Sequence, residues 1–306
     1  MPTADVALLT DHRYTAAAAD PGDWYLGNIL ADDGLLQSAL ARRGLTSVRV
    51  DWADASVDWS AFGCAVFRTT WDYFERFGEF TAWLKRLERQ TRVCNPIATI
   101  RWNMDKHYLA DLDARGVPVV PSRFLERGST EKLADVLNET GWGEAVVKPC
   151  VSGAARHTYR VNRRTAGELQ PRLSSLLAEE AMMVQPFQAD IAAGGEVSLM
   201  VFGGRVSHAI CKRVKAGDFR VQDDHGGTVH EHTPTAEQIA FAERAVAAVA
   251  PVPVYGRVDV VRDNLGQLAV MELELIEPEL WLRMHPPAAE VFADAVAAFL
   301  STPPVE

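Results

Sequence analysis

Cysteine is scarce in this chain. Four occur in 306 residues (Cys64, Cys94, Cys150 and Cys211), far apart and with no CxxC pair. That spacing argues against a zinc site or a disulfide framework and fits a reducing compartment. Each reads best as a small buried apolar residue. Long apolar runs are also missing, and none approaches the roughly 20 residues that cross a bilayer. The opening segment MPTADVALLTDHRY has no basic stretch followed by a long apolar one, so no signal peptide is expected. The expected location is the cytoplasm. Excess positive charge is absent too, with a formal net charge of −10. A phosphate-backbone binder needs a basic surface, so neither nucleic acid nor membrane is an expected partner. The patterns GxxxxGK[ST] and GxGxxG do not occur, which excludes a Walker loop and a dinucleotide fingerprint.

What is present is ordinary globular material: 48% hydrophobic and 24% charged residues, long enough for roughly two domains. The first hundred residues alternate between short apolar runs (Val6–Thr10, Ser47–Trp52, Cys64–Arg68, Arg92–Cys94) and helical patterns (Asp33–Arg43, Phe80–Gln90). Such alternation predicts a parallel sheet with helices on its faces. After residue 100 the pattern changes. One helix is expected over Thr99–Arg115 and another over Thr130–Thr140, with an extended Val- and Pro-rich segment, Val117–Leu125, between them. Paired strands follow: Ala145–Pro149 with His157–Val161, Glu196–Phe202 with Arg205–Arg213, and Gly256–Arg262 with Leu268–Leu275. Gly203-Gly204 and Asp263-Asn264-Leu265-Gly266 are hairpin turns by composition. Helices are expected over Ala166–Glu179, Thr235–Val249 and Ala288–Leu300. The expected fold class is α/β followed by α+β, in three spans: 1–100, 101–185 and 186–306.

The sharpest chemical feature is the segment VMELELIEP, Val270–Pro278. Side chains on a strand alternate, so Glu272 and Glu274 share a face. Two adjacent carboxylates in so apolar a run repel each other and are costly to bury unpaired. A divalent cation would relieve both costs, and Asp259 would add a third oxygen if its strand pairs in register with this one. The competing reading is a solvated acidic face. Separated cations accompany these acids: Lys106, Lys148 at the end of the apolar strand EAVVKP, and Lys212-Arg213 at the end of SHAICKR. Lysine suits phosphate as a point charge and arginine as a fork. For Lys106 and Lys212 alone, a snorkelling surface residue is the better explanation. The loop Ser152–Thr158 is made of small residues that let backbone N–H groups approach an anion, and it carries Arg156 and His157. The strand MMVQPF, Met182–Phe187, can border a flat ring, but by itself reads as core.

In their order these segments resemble the ATP-grasp superfamily, in particular the branch with glutathione synthetase and the RimK-type ligases. The order runs Asn-Met-Asp-Lys (Asn103–Lys106), Val-Val-Lys-Pro (Val146–Pro149), the small-residue loop, Gln-Pro-Phe (Gln185–Phe187) and Gly-Glu-Val-Ser (Gly195–Ser198). It continues with Lys-Arg, Gly226-Gly227, Arg-Val-Asp (Arg257–Asp259) and Glu-Leu-Glu (Glu272–Glu274). The resemblance implies an ATP-grasp fold over about residues 100–300, preceded by an α/β domain. It implies ATP and Mg²⁺ as cofactors and an acyl phosphate intermediate attacked by a nitrogen nucleophile. It also implies roles. Lys106 and Lys148 meet the phosphates, with Ser152 and Arg156 in the phosphate loop. Gln185 and Phe187 border the adenine, and Glu196 lies near the ribose. Arg213, with Lys148 and Arg257, supports phosphoryl transfer. Asp259, Glu272 and Glu274 hold the metal. RimK-type members have Asn where this chain has Glu274, which argues against copying a RimK substrate.

The acceptor side is expected in the first domain. An amino-acid-like substrate needs a cation for its carboxylate and an anion for its amine. Asp23, Asn28, Arg68, Thr69 and Asp72 are the residues that would supply them, Arg68 to Asp72 lying at a strand end where α/β sheets bind ligands. For Trp71 and Tyr73, packing against the second domain explains the rings as well as a substrate contact does. The string Arg-Thr-Thr-Trp-Asp-Tyr (68–73), together with Glu-Leu-Glu-Leu-Ile-Glu-Pro (272–278), is similar to the small ATP-grasp cyclo-ligases that act on O-ureidoserine. In those, nucleophile and carboxylate belong to one molecule. An intermolecular amino-acid or peptide ligase and a non-catalytic nucleotide-binding regulator are the alternatives, and a homo-oligomer is left open. The retained metal-type carboxylates argue against the regulator.

Overall fold

The structure is a computed structural model describing residues 4–215 and 226–303. Its first sheet holds β1 (Ala4–Thr10), β2 (Ser47–Asp51), β3 (Phe62–Thr69) and β4 (Arg92–Cys94), all parallel and in the order β2-β1-β3-β4. Alternation sorts its side chains. Val6, Leu8, Cys64 and Val66 face one apolar layer, while Ala7, Leu9, Ala65 and Phe67 face the other. Helix α1 (Trp24–Arg42) covers the first face through Leu36, Ala39 and Leu40. Helix α2 (Phe77–Leu87) covers the second through Phe80, Trp83, Leu84 and Leu87.

α1 begins nine residues before the expected Asp33, capped by the Asp23 carboxylate on the Leu26 N–H. Its first half escapes the apolar pattern because it buries Asp32 and Asp33, which are ion-paired to arginines. The helix expected over 99–115 is broken instead into α3 (Ile97–Asn103) and α4 (Tyr108–Ala114). At the break the Lys106 N–H leaves the helical ladder and donates to the Cys150 carbonyl at 2.9 Å.

The second sheet holds β5 (Arg123–Leu125), β6 (Glu144–Pro149), β7 (Tyr159–Asn162) and β8 (Met182–Pro186) in the antiparallel order β5-β8-β6-β7. Helices α5 (Leu133–Thr140) and α6 (Ala166–Glu179) bury leucines against it. A single turn, α7 (Asp190–Ala193), leads into the third sheet. That sheet is β9 (Glu196–Phe202), β10 (Arg205–Arg213), β11 (Thr228–His232), β12 (Tyr255–Arg262) and β13 (Leu268–Glu274), in the antiparallel order β11-β10-β9-β12-β13. Helix α8 (Ala236–Ala247) packs Phe241, Ala242, Ala245 and Val246 on one face.

The opposite face is divided. Met200, Phe202, Ile210 and Tyr255 are apolar and meet α9 (Ala288–Ser301) in the same layer as α1 and β1. The chain therefore ends by returning to its first sheet, a pairing that contiguous sequence spans do not anticipate. The rest of that face is polar, and it looks into a cavity. No helix of the described residues is long and apolar enough to cross a membrane.

Candidate active site

The polar face is assembled by register. Glu196 and Ser198 alternate inward on β9 and stand opposite Lys212 and Ile210 of β10. Ser198 also stands opposite Asp259 of β12, and β12 sets Asp259 against Glu272 and Arg257 against Glu274 of β13. Four strands thus bring charged residues of both signs together at one end of the sheet. Gly195 makes the turn into β9 with φ +84, and a Cβ there would lie 2.5 Å from the Lys212 carbonyl. Asn103 fixes the far strand, donating to the Leu273 carbonyl at 2.8 Å and accepting the Leu275 N–H at 2.7 Å.

Lysines from two other elements converge on Glu272. Lys106 Nζ, at the α3–α4 break, lies 2.9 Å from one oxygen and donates to the Ser152 carbonyl at 2.8 Å. Lys148 Nζ, at the end of β6, lies 3.9 Å from the other oxygen. Burial acts to raise the Glu272 carboxyl, but the two lysines outweigh it and hold it below its ordinary value. Burial lowers Lys148, helped by the nearby charge of Lys106 and opposed by Glu272. Asp259 receives Arg257 through two bonds of 2.9 Å, and Lys212 at 3.2 Å. Against burial, these cations hold its carboxyl well below the usual range. Lys212 also pairs with Glu196, and Arg257 with Glu274. Burial, reinforced by Asp259 and Glu272, still pushes the Glu274 carboxyl up to about 7 against the pull of Arg257.

The cavity over this face has a volume of about 570 Å³ and draws its lining from all three sheets and their loops. Of the residues singled out in the sequence, Lys106, Lys148, Ser152, Arg156, Gln185, Phe187, Glu196, Arg257, Asp259, Glu272 and Glu274 line it. Gln185 is buried and donates to Ser122 Oγ, and Arg160 lies over the Phe187 ring. Arg156 is bound to Glu180.

Six expectations meet a different arrangement. Arg213 is exposed and outside the lining, because alternation on β10 turns Lys212 inward and its neighbour outward. The five proposed acceptor residues lie outside the cavity as well. Asp23 is spent as the α1 cap and Asn28 is half-buried along that helix. Arg68 pairs with Asp33 at 3.0 Å, and Thr69 shares a hydrogen bond of 2.6 Å with Thr10. Asp72 accepts the Trp52 indole N–H at 2.7 Å and Arg76 at 2.8 Å. Asp23, Thr69 and Asp72 thus meet partners inside the first domain, while Arg68 keeps one buried nitrogen, Nη1, without a hydrogen bond. Arg68 and Thr69 do border a separate hollow of about 10 Å³, which is no larger than a water needs.

In their place the first domain presents rings: Tyr14, Tyr25, Trp71, Tyr73 and Phe74. Lys212, noted in the sequence as one of the separated cations, and Glu277, at the end of the acidic run, line the cavity too, though neither had been given a role in the site. Alternation from Glu196 would have found Lys212; nothing local marks the tyrosines. The carboxylates Asp259, Glu272 and Glu274 do not themselves form a ready-made cage. Among the described residues, the group of metal-type ligands that converges within 4.8 Å is Asp105, His107 and Cys150. There His107 is already held by Asp105 and Glu126.

The chain is similar to known proteins in sequence and in fold. Residues 6–95 match the family described as the N-terminal domain of D-cycloserine synthetase DcsG. The cycloserine biosynthesis protein DcsG of Streptomyces lavendulae is 38% identical over 273 residues, covering 83% of this chain and 89% of that one. The crystal structure of D-cycloserine synthetase DcsG superposes with a TM-score of 0.82 at 34% identity, covering 97% of this chain and 99% of the other. A RimK-domain ATP-grasp protein of Sphaerobacter thermophilus, 22% identical, shares the fold with a TM-score of 0.66 over 95% of this chain and 98% of its own. By sequence over most of its length, and by fold, the chain belongs to the D-cycloserine synthetase family of ATP-grasp ligases.

Proposed function

We propose that this ligase uses ATP and Mg²⁺ to activate the carboxylate of an amino-acid-type substrate, then closes a ring through a nitrogen of the same molecule. The substrate we assign is O-ureido-D-serine and the product D-cycloserine. The kinship with cycloserine synthetases supports the ring closure. The observation that carries the chemistry is the register of β12 and β13, which sets Asp259 opposite Glu272 and Arg257 opposite Glu274 beneath two lysines from other elements.

The donor set fits a hard divalent cation. Three carboxylates line the cavity, oxygen donors of the kind such a cation takes, and burial with the charge of the other two lifts the Glu274 carboxyl to about 7 against Arg257. Asp259, Glu272 and Glu274 would hold Mg²⁺, which when bound would neutralise phosphate oxygens. Lys106 and Lys148, which converge on Glu272, would supply the cations for the phosphates. Arg257 and Lys212 are both paired with Asp259 and would stabilise charge on the transferring phosphoryl group, Arg257 as the sequence implied and Lys212 in place of Arg213. Phosphoryl transfer to the carboxylate yields ADP and an acyl phosphate; nitrogen attack on the acyl carbon expels phosphate. The loop 152–158 and the rings of the first domain would shield that intermediate from water.

The test is Mg²⁺-dependent ADP release with O-ureidoserine in both enantiomers, single amino acids, amino-acid pairs and dipeptides. Release with O-ureido-D-serine alone is expected. A requirement for a second amine would replace this reading with intermolecular ligation.

A further inference from the structure

The cations that line the cavity are already committed to acids other than Glu277. Arg13 pairs with Asp11, Arg156 with Glu180, and the remaining four with the carboxylates of the third sheet. Glu277 lines the same cavity, yet among the described residues its carboxylate enters no ion pair. It is held in place from the first domain, because the Trp71 indole N–H donates to its backbone carbonyl at 2.9 Å. Trp71 in turn belongs to a three-ring cluster on the cavity wall. Its centroid lies 5.7 Å from that of Tyr14 and 5.9 Å from that of Tyr25, and the two tyrosines are 6.0 Å apart. The Arg13 guanidinium lies over the Tyr14 ring at 5.2 Å, which shows that this cluster takes a cation, and a carboxylate in no ion pair on a residue tied to such rings is the chemistry that takes an ammonium group.

We propose that Glu277 and the Tyr14–Tyr25–Trp71 cluster form the subsite for the α-ammonium group of the substrate, and so set its specificity for free amino acids. The assignment rests on the reading of the chain as a ligase of amino-acid-type substrates. It replaces Asp23 and Asp72, which the fold spends elsewhere. Burial and the charge of Glu274 raise the Glu277 carboxyl well above its ordinary value, a cost that a bound ammonium would remove.

Equilibrium binding to the protein loaded with Mg²⁺ and ADP tests this. The probes are O-ureido-D-serine and its analogue lacking the α-amino group, with wild type and Glu277→Gln. Wild type should bind the amine-bearing compound roughly 10- to 100-fold more tightly, the range for a charged hydrogen bond. In Glu277→Gln that preference should collapse to near unity, with affinity for the deamino compound retained. A preference that persists in the variant overturns the Glu277 assignment and leaves the ligase reading standing. An equal loss of affinity for both compounds means a merely structural role and also overturns it. If wild type binds neither, the substrate reading itself falls, and the subsite with it.

Discussion

Glu272 is shared by two lysines that reach it from different parts of the chain. Replacing it with Gln removes a proposed metal ligand and leaves Lys106 and Lys148 facing each other. Turnover should fall by more than about 100-fold, with circular dichroism unchanged and stability lower by about 1–3 kcal/mol. Near-normal turnover in the folded variant would sink the metal assignment. The adjacent pair Lys212 and Arg213 offers a sharper contrast. Strand alternation puts one on the cavity and the other in solvent. Lys212→Met should cost at least about 100-fold in kcat/KM, whereas Arg213→Met should stay within about 3-fold. The reverse order would show that β10 does not present Lys212 to the phosphates.

Elements, more than single side chains, hold the carboxylates in line. The amide of Asn103 bridges two backbone groups of β13, tying α3 to the strand that carries Glu272 and Glu274. Asn103→Ala orphans both groups and should lower stability by about 1–3 kcal/mol in urea titrations, with a further drop in turnover. Gly195 sits where φ is positive and a Cβ would strike backbone. Gly195→Ala should destabilise by a similar amount, roughly 1–3 kcal/mol, and shift Glu196 off Lys212. Strand periodicity made β9, β10, β12 and β13 legible from sequence, and with them the pairing of Asp259 and Glu272. The α3–α4 break was not legible. The helical pattern runs through it, and what breaks the helix is a hydrogen bond to Cys150, about forty residues away in the chain.

At the scale of the whole molecule, α9 joins the last sheet to the first. Phe292 is fully buried between them, its ring stacked on Phe202 at 4.8 Å and tilted against Tyr255 at 5.0 Å. Phe292→Ala should cost about 3–5 kcal/mol by denaturant unfolding. Near this junction, burial lowers His208 from 6.5 to about 4, and its Nε2–H donates to the Leu280 carbonyl. His208 is thus neutral when folded and protonated below about 6.5 when unfolded. Its contribution is fully present above that pH, falls as pH drops through 6.5 towards 4, and then levels off, a loss of up to about 3 kcal/mol. His208→Gln should flatten that part of the stability profile, as read by urea midpoints at successive pH values.

The sequence by itself determined the alternating first sheet, the hairpins of the third and the ordered set of lysines and carboxylates. Each is written in local periodicity or in residue types that chemistry requires. Only the tertiary structure decided which face of β10 looks inward, that Arg68 and Asp72 turn to partners within the first domain, and that rings line the cavity there. It also decided that the last helix belongs with the first sheet. These are choices of partner. They depend on which groups the closed fold brings within reach, and no periodicity along the chain encodes that.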